Sequence, residues 1–371
     1  MSEWHRWFPA SSRATGEGRG VVALAMCLSL AGLLMIYSAS FVMAEKRHGD
    51  AFFFLKRQVV NLGVALVLFA AAARVSLDRL REKMAWVAVA LFVLLVAVLF
   101  LGDRVHGATR WLRLGPIQVQ PSEVAKLFTV FYLAHYIAKR PGRLGRLSGS
   151  FLPVGVVGTC MGLIVIEPDL GAAALLALLT GLLLFLGGAK LRHLTCFTFP
   201  GVLLGIAAVV AAPYRMQRLI GYRNPDADPL RSGYHILQSL TALGSGGAFG
   251  VGPGAGKGKL FFLPEAHTDF IFSIIGEEFG LIGTLALLVL FVTLFFLGLR
   301  IARDQTDPFR RLMALGATLM IVLSAMIHMG VATALLPTKG LALPFISYGG
   351  SSLTVNWTAV GLLFNIAQRD G

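Results

Sequence analysis

LPEAHTDFIFSIIGEEFGLIGTLALLVLFVTLFFLGLR, residues 263–300, decides the fold class of this chain. Glu265, His267 and Asp269 fall at alternate positions, and behind them the sequence stays apolar for most of thirty residues. At 1.5 Å of rise per residue, a helix of that length crosses the ~30 Å hydrocarbon core of a bilayer. The chain as a whole agrees: of 371 residues, 56% are hydrophobic and only 14% charged. A soluble domain of this size cannot hide so much apolar surface in one core. Residues 1–19 are polar and the run after them is long enough to span, so it reads as a first helix that stays in the bilayer rather than a cleaved signal.

Hydrophobic runs of roughly 18 or more residues mark spanning helices. They predict an all-α integral membrane fold with about ten transmembrane helices, near 20–43, 53–73, 84–101, 117–138, 151–167, 170–187, 194–212, 270–299, 312–335 and 343–367. A cytoplasmic tail, 1–19, precedes a single polytopic domain, 20–371, and the one long loop, about 213–268, lies between helices seven and eight. With both termini inside, the inner segments hold 18 of the 33 Lys and Arg but seven of the 19 acids, a net +11 against +3 elsewhere. Basic residues in short loops fix orientation, so topology explains the basic excess and nucleic acid is not needed as a partner. The long loop then lies outside, and a loop of that length is more often functional than idle. Cys27, Cys160 and Cys196 lie in apolar runs without metal spacing and read as small packing residues.

Asp269 stands where the loop becomes the eighth helix. An acid there can favour the helix dipole, with Thr268 as N-cap, or it can serve as a general base backed by Glu265 and His267. The alternation forms no HExxH or Cys/His pattern, so no metal site follows. Glu277 and Glu278 lie two turns into an apolar helix, where charge is costly and calls for a function or an ion pair. Glu167 and Asp169, flanking Pro168, form either a solvated turn or part of a site. The run GSGGAFGVGPGAGKGK, 244–259, is no phosphate loop, because Gly258 follows Lys257 where Ser or Thr is required. It reads instead as a flexible loop that brings backbone close to a ligand or the bilayer. In LLPTKGLALPFISYGGSS, 335–352, Lys339 ends the ninth helix and broken backbone follows, which membranes tolerate only where protein buries it or it lines a cavity. A cavity edged by Asp269 and Lys339 suits an anionic, lipid-linked substrate.

These motifs together resemble the SEDS family (shape, elongation, division and sporulation), the RodA and FtsW group. The resemblance rests on GLLMIYSAS (32–40), RWLRLGPIQVQPSEVAK (110–126), EPDLG (167–171), YRMQRLIGYRNPDADPLRSGYHILQSLTALGSGG (214–247), KLFFLPEAHTDFIFSIIGEE (259–278) and PTKGLALPFISYGGSSL (337–353). PTKG at 337–340 is more like the division branch, the others tending to carry Val-Thr-Gly. The resemblance implies ten helices with a large extracytoplasmic loop. It also implies a peptidoglycan glycosyltransferase that polymerises lipid II at the outer face of the bacterial cytoplasmic membrane during septum formation. The implied partners are a class B penicillin-binding protein and other divisome proteins. It makes Asp269 the catalytic residue; the chemistry then assigns Asp269 as base, with Lys339, Glu265, His267 and Arg218 expected to bind substrate. Cationic groups, or a divalent cation such as Mg or Mn, would stabilise the pyrophosphate leaving group.

Several residues depart from the family pattern: His235 and Glu167 where glutamine is usual, Phe261 where some members carry an acid, and Ser324 and His328 in place of glutamine and asparagine. His328 reads as a helix–helix hydrogen-bonding substitute. Two rival functions remain at this stage. A lipid II flippase predicts charges forming a path across the bilayer and inverted repeats, neither of which is visible. A scaffold that recruits the transpeptidase predicts a dispensable Asp269.

Overall fold

The computed structural model describes residues 14–105, 108–114, 117–228 and 233–368. The first thirteen residues of the expected tail, and Arg231 of the outer loop, lie outside the described residues. The helices are α1 Ala14–His48, α2 Phe53–Arg74, α3 Leu77–Glu82, α4 Met84–Leu101, α5 Pro121–Lys139, α6 Ser148–Ile166, α7 Leu170–Leu186, α8 Leu191–Val210, α9 Pro213–Arg223, α10 Tyr234–Gly246, α11 Ile271–Asp304, α12 Pro308–Ala332 and α13 Gly350–Gln368. Three strands, β1 Asp103–Val105, β2 Ala108–Leu114 and β3 Ile117–Val119, form an antiparallel sheet between α4 and α5, with Asp103 opposite Trp111 and Leu112 opposite Val119.

Among the described residues, seven helices are long and apolar enough to cross a membrane: α1, α2, α4, α6, α8, α11 and α12. The other three expected spans fall on α5, α7 and α13. Helix α7 has 17 residues, and α5 and α13 bury polar side chains such as Glu123, Lys126, Asn356 and Asn365. The pattern has a physical cause. Helices facing lipid, such as α2, α4 and α8, expose apolar residues like Val67, Phe100 and Leu204. Helices enclosed by other helices can carry polar groups, because neighbouring protein satisfies them. Asn365 donates to the carbonyls of Ala72 and Val75 at the end of α2, and Trp357 donates to Ser29 of α1. Gly361 lets α13 approach α2 so closely that a Cβ there would lie 2.6 Å from the Phe69 carbonyl oxygen.

Boundaries follow local chemistry. Pro121, Pro213 and Pro308 each open a helix, where a missing N–H costs nothing. Asp307 caps α12 through Phe309 N, and Asp169 caps α7 through Ala172 N at 3.1 Å.

Several expectations need correction. The fourth span was expected from 117, but Ile117–Val119 is a strand and the helix starts at Pro121. The last was expected from 343, yet α13 starts at Gly350, because Pro344 and the Phe345 backbone at φ 68° interrupt it. Lys339 therefore lies seven residues beyond the end of α12, in a non-helical segment. Within the outer loop, α9 and α10 give the chain helical structure of its own. Only Cys160 is buried; Cys27 and Cys196 lie on exposed faces.

The glycine-rich run packs against a break in α11. Gly280 there has φ 64° and ψ −160°, which leaves the helix path. The loop closes the gap backbone to backbone: Val251 N and Gly252 N donate to the carbonyls of Glu277 and Glu278, and Leu281 N and Ile282 N donate to those of Gly247 and Ala248. These four bonds give partners to backbone groups freed by the break, as the interior of a bilayer requires.

Candidate functional site

Asp269 closes a short strap, residues 263–269, immediately before α11. Glu265 holds a left-handed conformation, φ 53°, and its carbonyl accepts from the N–H groups of Thr268, Asp269 and Phe270 at 3.1, 3.1 and 3.3 Å. From the other side the strap is pinned by the segment that leads into α13. Tyr348 N donates to the His267 carbonyl at 3.0 Å, and Ser347 Oγ donates to the Thr268 carbonyl at 2.7 Å. Neither Thr268 nor Asp269 caps α11; its N-cap is Phe270, without a side-chain bond, and Thr268 Oγ turns back to Glu265. The helix-capping explanation of Asp269 therefore falls.

Asp269 lines a cavity of about 1480 Å³. Its walls carry seven basic residues, Lys56, Arg57, Arg110, Arg113, Arg215, Arg218 and Lys339, and four acids, Glu123, Asp169, Glu265 and Asp269. The excess of cations suits an anionic ligand. Burial pushes the Asp269 carboxyl up to about 7, with Glu265 adding to the rise and Arg218 and Arg110 opposing it. Its side chain makes no hydrogen bond or ion pair among the described residues, which leaves it available to a ligand proton. Lys339 meets the same cavity; burial lowers its ammonium pKa, and Asp169 opposes that. Gly171 and Gly340 keep space around these two groups: a Cβ at 171 would lie 3.4 Å from that of Lys339, and one at 340 would lie 3.3 Å from Asp269 Oδ2.

Of the expected site residues, Asp269, Lys339, Glu265 and Arg218 converge on this cavity. His267 does not. Its ring is buried against Phe54 and Tyr348, with centroids 4.6 and 5.7 Å away, and it lines a separate cavity of about 370 Å³ behind the strap. Burial lowers its pKa to about 4, so it is a neutral aromatic wedge at neutral pH.

Three residues emerge beyond that set. Arg110, on β2, donates to the carbonyls of Glu167 and Pro168 and holds the turn between α6 and α7 against the cavity. Asp169 is buried, not solvated, and accepts from Gln120 Nε2 at 3.1 Å and Ser122 Oγ at 3.2 Å. His235 stacks on Phe270 at 6.0 Å and faces the cavity, its pKa lowered by burial and then by Arg218. The motifs at 110–126 and 167–171 carried the signal for the first two, but no spacing placed them beside Asp269. His328 bonds the Leu341 carbonyl at 2.7 Å, so it secures the non-helical segment rather than another helix.

Residues 19–370 match the family model for cell cycle proteins of the FtsW, RodA and SpoVE group. A probable peptidoglycan glycosyltransferase FtsW from Trichlorobacter lovleyi is 42% identical, covering 94% of this chain and 92% of that protein. Stage V sporulation protein E from Bacillus subtilis is 38% identical, covering 96% and 99%. Among solved structures, a chain from work on structural coordination of polymerization and crosslinking by a peptidoglycan synthase complex superposes with a TM-score of 0.80 at 29% identity, covering 98% and 99%. The rod shape determining protein RodA of Thermus thermophilus superposes with a TM-score of 0.70 at 28% identity, covering 98% of each chain.

Proposed function

The chain belongs to the FtsW/RodA/SpoVE family and is a multi-pass membrane peptidoglycan glycosyltransferase, and from that premise we propose that Asp269 is the general base with which it polymerises lipid II. The observation that carries this reading is the place of the Asp269 carboxyl, on the wall of a cationic cavity and without a hydrogen bond or ion pair among the described residues, where burial raises its pKa to about 7. A base poised near the working pH is efficient.

In the proposed step, Asp269 takes the proton from the 4-hydroxyl of the acceptor sugar as that oxygen attacks the anomeric carbon of the donor. The new glycosidic C–O bond forms with inversion while the bond to the lipid pyrophosphate breaks. The leaving group departs as an anion, so the protonated second carboxyl of a glycosidase is not required. Lys339 and Arg218 face the developing charge, and cations preorganised in a site shielded from water stabilise it more than solvent does. Among the described residues no three His, Cys, Asp or Glu converge into a cage for a divalent cation, and no step is routed through one.

The substrate's lipid tail stays in the outer leaflet, and the strap that carries Asp269 stands at the outer end of α11. The inner-loop charge bias supports cytoplasmic termini. Relatives of the FtsW type and the PTKG sequence support a role at the division septum, and the likeness to a synthase complex supports a class B penicillin-binding protein as partner.

The test is glycan-strand synthesis from purified lipid II by the protein with that partner, wild type against Asp269→Ala and Asp269→Asn. Polymer from wild type alone is expected. Equal polymer from all three would remove Asp269 as base.

A further inference from the structure

Glu277 and Glu278 sit near the start of an apolar helix and do not line the large cavity, yet the structure gives both carboxylates partners. Glu277 accepts from Lys257 N at 2.7 Å and Gly258 N at 3.1 Å. Glu278 pairs with Lys259 at 2.7 Å, and the two side chains are 1% and 2% exposed. Ser38 of α1 completes a triangle: its hydroxyl donates to Glu278 at 2.6 Å and accepts from Lys259 Nζ at 3.0 Å. The ammonium also stands 5.2 Å from the centre of the Phe41 ring.

A buried ion pair is a poor source of net stability, since desolvation of both charges offsets most of their attraction. Its use here follows from its place in the chain. Lys259 lies in a tight turn, Gly258–Phe262, closed by Leu263 N donating to the Gly258 carbonyl at 2.8 Å. Pro264 follows, and then the hydrogen-bonded turn at Glu265 that ends on Asp269. No freely rotating stretch separates the pair from the carboxylate, so fixing Lys259 fixes the upstream end of the strap.

We infer that Ser38, Lys259 and Glu278 form a latch that ties the strap to α1 and α11 and so positions Asp269 for glycosyl transfer. None of the three lines the cavity that Asp269 faces; they are positioning residues. The inference rests on the reading of Asp269 as the base. Misplacing a catalytic group by about 1 Å costs up to about a hundredfold in rate, so a loosened latch lowers kcat and leaves substrate affinity intact.

The experiment replaces both charges together, Lys259→Met with Glu278→Met, since losing only one partner strands a buried charge. Steady-state polymerisation of lipid II by the complex with its penicillin-binding protein is measured beside thermal unfolding. The expected result is a melting temperature at or above wild type, KM within about twofold, and kcat lower by at least about tenfold. A kcat within about twofold of wild type would overturn the latch. Should the double variant fail to assemble, Ser38→Ala decides, because it removes only the tie to α1: the latch predicts a lower kcat at unchanged KM, and an unchanged kcat sinks it. Asp269→Asn in the same assay separates the two readings. If it retains activity the base assignment fails, whereas the latch fails only on the kcat of its own variants.

Discussion

Gly340 packs against the carboxylate of Asp269 so closely that a methyl group at 340 would sit 3.3 Å from Oδ2 and 3.9 Å from an Arg110 guanidinium nitrogen. That spacing is tight, so a side chain at 340 would have to push the carboxylate aside. Gly340→Ala should displace the carboxylate by a few tenths of an ångström. The expected outcome is a kcat lower by about tenfold with membrane insertion and thermal unfolding unchanged, read by lipid II polymerisation beside a melting curve.

The pH dependence should carry the signature of Asp269. Its pKa stands at about 7, and a base works ionised, so activity falls as pH drops through that value. Glu265 pushes the pKa up and Arg218 pulls it down. Glu265→Gln should therefore move the acidic limb of kcat/KM to lower pH, and Arg218→Gln should move it higher. Limbs that shift together, or not at all, would detach Asp269 from the profile.

The same shift acts on stability with the opposite sign. Because the folded pKa of about 7 exceeds the ordinary 3.8, the folded state holds this proton more tightly than the unfolded chain. The contribution is complete below the ordinary value and is lost as pH rises to about 7. Asp269→Asn should flatten that part of the melting-temperature profile while abolishing polymer synthesis.

Gly280 predicts a failure of folding rather than of catalysis. Its φ of 64° with ψ −160° belongs to a region used almost only by glycine, and a Cβ would meet Gly250 N at 2.4 Å. Gly280→Ala should cost more than about 3 kcal/mol and reduce the yield of folded protein in detergent, as seen by size-exclusion and thermal unfolding.

Glu167 offers a change in the other direction. It is fully buried, and neither carboxyl oxygen has a hydrogen-bond partner among the described residues; Arg110 bonds its main-chain carbonyl instead. Glu167→Met removes the orphaned polar group at similar length. A gain of about 1–3 kcal/mol in stability, with polymerisation retained, is expected from melting curves of the purified protein.

The lipid-facing helices were legible because their apolar runs are what a bilayer demands, while the boundaries of the enclosed elements were not. Ile117–Val119 reads Ile-Gln-Val, too short a stretch to tell a strand from a helix, and only Pro121, placed to open α5, marked the division. Leu343 to Tyr348 read as the start of a span, but Pro344 and the left-handed backbone at Phe345 keep it out of the helix.

At the site, Asp269 and Lys339 were legible as unusual charges near a membrane edge, and the structure brings both to one cavity. The grouping of Glu265, His267 and Asp269 misled for a definite reason. Alternate residues share a face only on an extended strand, and this segment is a tight turn that sends His267 to the opposite side. Arg110 and Asp169 reach the cavity through packing between elements distant in sequence, which no local pattern records.

The bonds from Tyr348 to the His267 carbonyl and from Ser347 to the Thr268 carbonyl have a consequence for biosynthesis. The strap leaves the ribosome some eighty residues before the groups that pin it, and those groups are set in place by the docking of α13 against α1 and α2. A nascent chain still emerging from the translocon therefore holds Asp269 without its final support. Competence arrives only with the last helix, so a stalled or truncated chain in the membrane is an idle one.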